Sequence, residues 1–375
     1  MPLLGFWMLS VLAGVFIQFA GLSHATASAP IPILQEATTN DPFWVPQEMF
    51  VFARRRASLG NSERGRAEEL LKALVHPPEL GGMGIAYSND RTRTISEVWA
   101  ERKANCLSLT MTYVMLAKQL RIRAIFAESF DVYNWSRAAG LILREKHMVA
   151  IVLRDNQEDL VADFLPRTRP RFGSYLVDAL ADIHAKSLYY SNSAVEALLM
   201  GDRDWAKEMV LTALDTDPAS SQAWNILGVI EKAENNVSRA IIAYRTAIAN
   251  NPKNVAAISN LAALCREEGF FAEYARLRAM ENRLRKWDPY YHAFLASEFL
   301  DNNDLKKALK SIQSAIKLHP KDSDFYVILS HVLHAQGKIA EALDSLVKAR
   351  EYTTEDRMDA LDQLIEELRG GDTFR

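Results

Sequence analysis

Hydrophobic and polar residues are arranged in three different ways along the chain, and each arrangement predicts a different structure. Residues 3–22 form an apolar run without a charged residue. Between about residues 46 and 180, short apolar segments with helix-like and strand-like spacing follow one another, which predicts a mixed α and β unit. From about residue 187 onward, apolar positions recur at helical spacing and predict a series of helices.

The helical part contains a pattern that repeats every 34 residues. Pro218 and Pro252 are 34 residues apart, and Pro320 follows two periods after Pro252. The clearest unit has small and aromatic residues at the spacing of a helix pair: Trp224, Leu227, Gly228, Ala240, Tyr244 and Ala247. This pattern resembles the tetratricopeptide repeat (TPR), in which small residues let paired helices approach each other. The resemblance implies about five repeats over residues 187–356, and a capping helix and tail over residues 357–375.

Cys106 stands at the start of a predicted helix that continues to about residue 120. Asn105, directly before it, is a favourable N-cap residue. A helix N-terminus favours a thiolate, and so do nearby cations, here Arg102 and Lys103. The thiolate is the nucleophilic form of cysteine, so the sequence predicts a reactive thiol at this position.

Two strand-like segments after this helix carry His147 and Asp163. A turn predicted at residues 154–157 makes them a hairpin, and folding about Asn156 places residue 147 opposite about residue 165. A strand over residues 124–130 and a loop over residues 131–140 are predicted before them. The order Cys, His, acid is that of thiol-based acyl-transfer sites. Three alternative acids remain open: Glu145, Asp155 and Asp159.

The segment around Cys106 also carries a resemblance to a known family. Asn105-Cys106-Leu107-Ser108-Leu109, residues 147–153 and residues 160–164 are similar to the nucleophile helix, histidine strand and acid strand of transglutaminase-like domains. The resemblance covers residues 84–180 and implies Cys106 as nucleophile, His147 as general base and acid, and Asp163 as the group that orients the imidazole. Two positions differ from the family, which often has glycine at Ala104-Asn105 and an aromatic residue at Met148.

The resemblances together imply a fold class and a function. The fold class is an α+β transglutaminase-like (papain-like) core followed by an all-α TPR solenoid. The implied function is amide hydrolysis or acyl transfer on a protein or peptide substrate by a thiol enzyme, with the TPR repeats binding protein. The alternative is a non-enzymatic scaffold or assembly factor that uses the same fold. The family resemblance implies that first-helix residues line the TPR groove: Asn225, Lys232, Arg266, Tyr290, His331 and His334.

The N-terminal apolar run predicts export. Ala25-Thr26-Ala27 has the small-x-small pattern of a cleavage site, so residues 1–27 are predicted to be a signal peptide, with Ser28 as the first mature residue. Residues 28–83 are then a helical lead-in. Cleavage leaves no stable membrane span, and the predicted location is the periplasm. The alternative is an uncleaved N-terminal membrane anchor, because about 20 apolar residues can also span a bilayer.

Composition and charge limit the possible partners. The chain has 44 basic and 47 acidic side chains and a net charge of −3, so no nucleic-acid partner is expected. No cofactor or metal is predicted, since His331 and His334 form a pair three residues apart without further ligands nearby. Cys265, the second of two cysteines, lies among apolar helix residues and is expected to be a buried, inert thiol.

Overall fold

The computed structural model describes residues 41–138, 141–154, 159–164, 172–173, 177–353 and 355–369. The predicted signal peptide, part of the predicted hairpin turn and the last six residues lie outside this described part. None of the described helices is long and apolar enough to cross a membrane.

The first half of the described chain combines helices with a sheet. Its helices are α1 (Gln47–Ala57), α2 (Glu63–Val75), a 3-10 turn (Pro78–Leu80), α3 (Ile95–Glu101) and α4 (Cys106–Gln119). Its strands are β1 (Ala86–Tyr87), β2 (Lys103–Ala104), β3 (Ala124–Ala138), β4 (Leu141–Val152), β5 (Leu160–Ala162), β6 (Phe172–Gly173) and β7 (Val177–Leu180). The sheet order β6-β5-β4-β3-β7 contains antiparallel neighbours only, whereas β1 and β2 form a separate parallel pair.

The helices before the sheet form one hydrophobic core with it. Met49 of α1 and Leu70 of α2 are completely buried, and they belong to the same cluster as Leu109 of α4 and Val152 of β4. The start of α2 is capped by Ser62, whose side chain accepts the Gly65 N–H. Strand β3 continues to Ala138, so the prediction of a loop over residues 131–140 is wrong for residues 131–138.

The second half of the described chain consists of helices that pack in pairs. The five pairs are α5 (Asp182–Met200) with α6 (Arg203–Thr216), α7 (Ser221–Ala233) with α8 (Val237–Asn250), α9 (Val255–Glu267) with α10 (Phe271–Arg285), α11 (Pro289–Asp301) with α12 (Leu305–Leu318), and α13 (Ser323–Ala335) with α14 (Ile339–Tyr352). Helix α15 (Glu355–Arg369) packs on α14, where its Leu361 and Ile365 are buried. Five pairs agree with the 34-residue period.

The third pair departs from the repeat pattern. Where the other second helices carry small residues, α10 has Glu281, which is completely buried. Its carboxylate accepts hydrogen bonds from Ser259 of α9 at 2.5 Å and from Arg285 at 2.7 Å, and it also pairs with Arg278. A buried carboxylate requires such partners, so this unit is held by an ionic cluster in place of small-residue contacts.

Candidate functional site

The Cys106 thiol lies in the first turn of α4. Asn105 is the N-cap of this helix, because its side chain accepts the Ser108 N–H at 2.9 Å. The predicted cap is therefore present. The side chains of the two neighbouring cations lie in different surroundings. The Arg102 guanidinium stacks on the Trp99 ring at 3.7 Å, whereas Lys103 is exposed.

His147 and Asp163 form a buried pair beside this helix. His147 lies on β4 and Asp163 follows β5 directly, with 2.6 Å between His147 Nε2 and an Asp163 carboxylate oxygen. The register of β4 and β5 pairs Ala150 with Ala162, which is the register of the predicted hairpin folded about Asn156. Asp163 is 0 % exposed, and the His147 imidazole beside it compensates the buried negative charge of its carboxylate.

The Cys106 side chain completes the cluster through His147. Burial lowers the pKa of His147, but the negative charge and hydrogen bond of Asp163 and the hydrogen bond with Cys106 outweigh it and raise this pKa to about 10. These interactions favour the protonated form of the imidazole. The structure brings the three predicted site residues together: the His147 imidazole contacts the Asp163 carboxylate and is hydrogen-bonded to the Cys106 side chain.

Two further contacts hold the three elements in register. Thr110 of α4 donates its hydroxyl to the Met148 carbonyl on β4 at 3.1 Å. Tyr113, one turn further along α4, packs edge-on against Phe164 with 5.6 Å between ring centroids. Each contact joins α4 to the residue that follows His147 or Asp163, so the helix fixes both strands close to the thiol.

One of the alternative acids is engaged elsewhere. Asp159 is exposed and accepts the Arg154 N–H at 3.1 Å, near the predicted hairpin turn. Asp155, and the side chain of Glu145, lie outside the described part of the structure.

Sequence reasoning missed three residues behind the thiol helix. Thr92 is buried, and its hydroxyl accepts hydrogen bonds from Asn105 at 3.0 Å and from Asn192 of α5 at 3.2 Å. The Thr92 N–H donates to Glu196 of α5 at 2.6 Å. A signal was present: Ser191-Asn192-Ser193 is a run of polar residues within an otherwise apolar helix segment, and all three are buried.

Several predicted groove residues already have partners within the array. Asn225 of α7 accepts a hydrogen bond from Asn260 of α9 at 3.0 Å, and Lys232 pairs with Glu267 at 2.8 Å. Tyr290 packs against Phe325. Burial and the neighbouring His334 lower the pKa of His331. Within the described ranges, no group of three or more His, Cys, Asp or Glu side chains could hold a metal ion.

The comparison with protein families identifies the repeats. Residues 193–255 and 295–356 match the family described as tetratricopeptide repeat. The two matches cover about a third of the chain and leave out the third helix pair with its ionic cluster. The chain therefore carries tetratricopeptide repeats, which are protein-interaction modules. A comparison with curated proteins found no match.

Several solved structures align with about half of the chain. A thermophilic TPR protein of Thermus thermophilus is 17% identical, with a TM-score of 0.28, over 49% of this chain and 98% of that one. The pilF protein of Pseudomonas aeruginosa is 16% identical, with a TM-score of 0.28, over 49% of this chain and 87% of that one. YrrB, a TPR protein with an unusual peptide-binding site, is 14% identical, with a TM-score of 0.26, over 48% of this chain and 92% of that one.

Proposed function

We propose that the chain is a scaffold or assembly factor that binds a protein or peptide through the inner, first helices of its TPR array. The observation that carries this proposal is the uninterrupted series of five helix pairs, two parts of which match the tetratricopeptide family. Stacked helix pairs form an extended concave surface, and such surfaces bind proteins. This function requires the array and makes no use of thiol chemistry.

Site-specific photo-crosslinking tests the binding surface. A photoreactive residue at Arg266, exposed on the first helix α9, should crosslink a partner in cells. The matched control is Ile242, which is 61 % exposed on the second helix α8. Crosslinks from both positions alike, or from Ile242 alone, would contradict a groove formed by first helices.

The cluster of Cys106, His147 and Asp163 favours a second candidate, thiol-dependent amide hydrolysis or acyl transfer. In this reaction the Cys106 sulfur attacks an amide carbonyl while the imidazolium of His147 retains the thiol proton. That proton then passes to the departing amine as the C–N bond breaks, and a thioester remains. Water or a second amine, deprotonated by His147, attacks the thioester and releases the thiolate. Backbone N–H groups in the first turn of α4 would bind the oxyanion.

Access to the thiol separates the two candidates. Cys106 is 1 % exposed and His147 is 3 % exposed, so catalysis also requires an opening that admits a substrate. Iodoacetamide reports both access and activation. A catalytic Cys106 should be alkylated faster than a free thiol at pH 7, and His147→Ala should abolish this advantage. Slow alkylation that His147→Ala leaves unchanged would leave the scaffold as the function.

Cys265 is an internal reference for this measurement. It is buried in α9, and burial raises the pKa of its thiol, so it should react slowly in every variant. Faster labelling of both cysteines in a variant would indicate unfolding. Both candidate functions are proposed for an exported protein, since the predicted signal peptide precedes both units.

A further inference from the structure

The N-terminal end of α4 is fastened to the segment before α3 at two buried points. Asn105 accepts the Ser108 N–H with its side-chain oxygen and donates its amide N–H to the Thr92 hydroxyl at 3.0 Å. The second point is at Arg93, the residue after Thr92. The Ser108 hydroxyl accepts the Arg93 N–H at 2.7 Å and donates to the Arg93 carbonyl at 2.9 Å. Residues 92 and 93 therefore hold the turn that contains Cys106.

The same segment is held from the other side by the first repeat helix. Asn192 and Glu196 are four residues apart on α5, so they share one face of the helix. Asn192 donates to the Thr92 hydroxyl at 3.2 Å, and Glu196 accepts the Thr92 N–H at 2.6 Å. The Thr92 hydroxyl thus accepts two hydrogen bonds, one from Asn105 and one from Asn192.

The contact reaches beyond the first repeat. The Asn192 side-chain oxygen lies 3.4 Å from the amide nitrogen of Gln222, which belongs to α7 in the second repeat. The connection therefore runs from Gln222 through Asn192 and Thr92 to Asn105, next to Cys106. All four residues are buried, and buried hydrogen bonds of this kind are not replaced by water when they break.

We propose that Asn192 and Glu196 of the first repeat are positioning residues for the thiol site and act through Thr92 on the N-cap of α4. The array is then a structural part of the thiol site as well as a binding module. Its meaning for catalysis rests on the proposed thiol function, but the contact can be tested without any activity.

The test uses a matched pair of variants at Thr92, made in a Cys265→Ala background. Thr92→Val keeps the shape and removes the hydroxyl, whereas Thr92→Ser keeps the hydroxyl. Hydrogen exchange at the Ser108 amide reports the N-cap directly. Thr92→Val should make this exchange roughly three- to tenfold faster, in proportion to the loss of a typical buried hydrogen bond, and Thr92→Ser should restore it. The pH midpoint of Cys106 alkylation by iodoacetamide should rise in Thr92→Val and not in Thr92→Ser.

A second variant keeps the test informative if Thr92→Val does not fold. Asn192→Leu removes the donor from the array side, 100 residues away in sequence, and should speed Ser108 exchange in the same direction. Ser221→Ala is the control, because it removes a buried hydroxyl that binds only within the array. Ser108 exchange that stays at the wild-type rate in Thr92→Val and Asn192→Leu, or that rises equally in Ser221→Ala, would overturn the inference.

The two proposals fail in different ways. A wild-type Cys106 that reacts no faster than a free thiol would refute thiol catalysis, while faster Ser108 exchange in Thr92→Val would still support the positioning contact. An activated Cys106 whose alkylation and Ser108 exchange are unaffected by both variants would refute the positioning role and leave thiol catalysis standing.

Discussion

At the scale of single residues, the site is a set of buried charges that neutralise one another. His147 and Asp163 are both almost fully buried, and neither charge is tolerable there alone. Removing one partner of such a pair leaves the other charge buried and uncompensated, so loss of either side chain should strongly destabilise the folded state.

Asp163→Asn should therefore destabilise the protein in a pH-dependent way. The pKa of His147 is raised from 6.5 to about 10, so the stabilisation is complete below pH 6.5 and is lost as pH rises through 10. We expect a loss of about 3–5 kcal/mol in the free energy of unfolding at pH 6, which shrinks toward pH 10. Denaturant unfolding at pH 6, 8 and 10 measures it. The control is Asp182→Asn, which breaks an exposed pair with Lys118 and should cost less than about 1 kcal/mol. A loss in Asp163→Asn that does not depend on pH would contradict a protonated His147.

Glu196→Gln should also change the pH dependence of stability, in the same direction but over a lower pH range. Burial raises the pKa of Glu196 from 4.5 to about 7, and the negative charge of Glu97 acts in the same direction. Hydrogen bonds from Thr92 and the positive charge of Arg91 lower this pKa but are outweighed. The stabilisation due to the protonated carboxyl is complete below pH 4.5 and lost as pH rises through 7. The stability of the variant relative to wild type should rise between pH 5 and pH 8, by an amount on the order of 2–3 kcal/mol. Thermal unfolding at both pH values measures it, and a constant difference would be inconsistent with a titrating Glu196.

The residues around Cys106 show what sequence could and could not predict at this scale. The Asn105 cap depends on residues three positions apart, so the local sequence was sufficient to predict it. The contact of Thr92 with Asn192 joins residues 100 positions apart, and nothing in the spacing of either residue specifies the other.

At the scale of helices and strands, short-range periodicity predicted most elements and failed at one long strand. Helices α1 and α2 both lie within the predicted helical lead-in over residues 28–83. Strand β3 was expected to end at residue 130, because the following residues mix polar and aromatic side chains. It continues because β4 extends equally far and pairs with it as far as Ala138 and Leu141, after a register shift between Ser129 and Tyr133. Pairing with a partner strand overrides local polarity.

The paired helices of the repeats can be tested at Gly228. A methyl group added at Gly228 would lie 2.6 Å from two carbon atoms of the Tyr244 ring, which is buried in the partner helix. Gly228→Ala should therefore destabilise the array by about 1–3 kcal/mol through overpacking. Denaturant unfolding of Gly228→Ala, Tyr244→Leu and the double variant forms a cycle. Because Tyr244→Leu makes room for the methyl group, the double variant should lose less free energy of unfolding than the two single variants lose together. Additive losses would show that the two side chains do not collide.

At the scale of the whole molecule, two units were predictable from sequence but their connection was not. The 34-residue period gave the array, and the change of pattern near residue 187 separated it from the mixed unit. Helix α5 crosses that boundary: Ala185 and Leu188 belong to the core of the mixed unit, and Ala194 and Val195 to that of the first repeats. A continuous helix with two apolar faces shows no break in its periodicity, so sequence reasoning could not reveal that it serves both units.

Export is a property of the whole chain that can be tested independently of the site. The apolar run over residues 3–22 and Ala25-Thr26-Ala27 predict cleavage before Ser28. Expression of the full chain in a bacterial host should give a periplasmic product, and N-terminal sequencing should read Ser28-Ala29-Pro30. Substituting Ala27 by a bulky residue should block cleavage and leave the precursor in the membrane fraction. A wild-type product that keeps Met1 in that fraction would favour the anchor.

The shared helix predicts that damage at α5 spreads into both units. Leu188 packs in the core of the mixed unit, and Leu188→Ala should destabilise that core by about 2–5 kcal/mol. Because α5 continues into the first repeat, hydrogen exchange should become faster both in α4 and in α6. Leu333→Ala is the control at the far end, where the buried residues of its cluster belong to α13, α14 and α15. In a repeat array each unit contacts only its neighbours, so the faster hydrogen exchange caused by Leu333→Ala should decline along the array before it reaches α5. Faster exchange in α4 without a change in α6, after Leu188→Ala, would show that the two units unfold independently despite the helix they share.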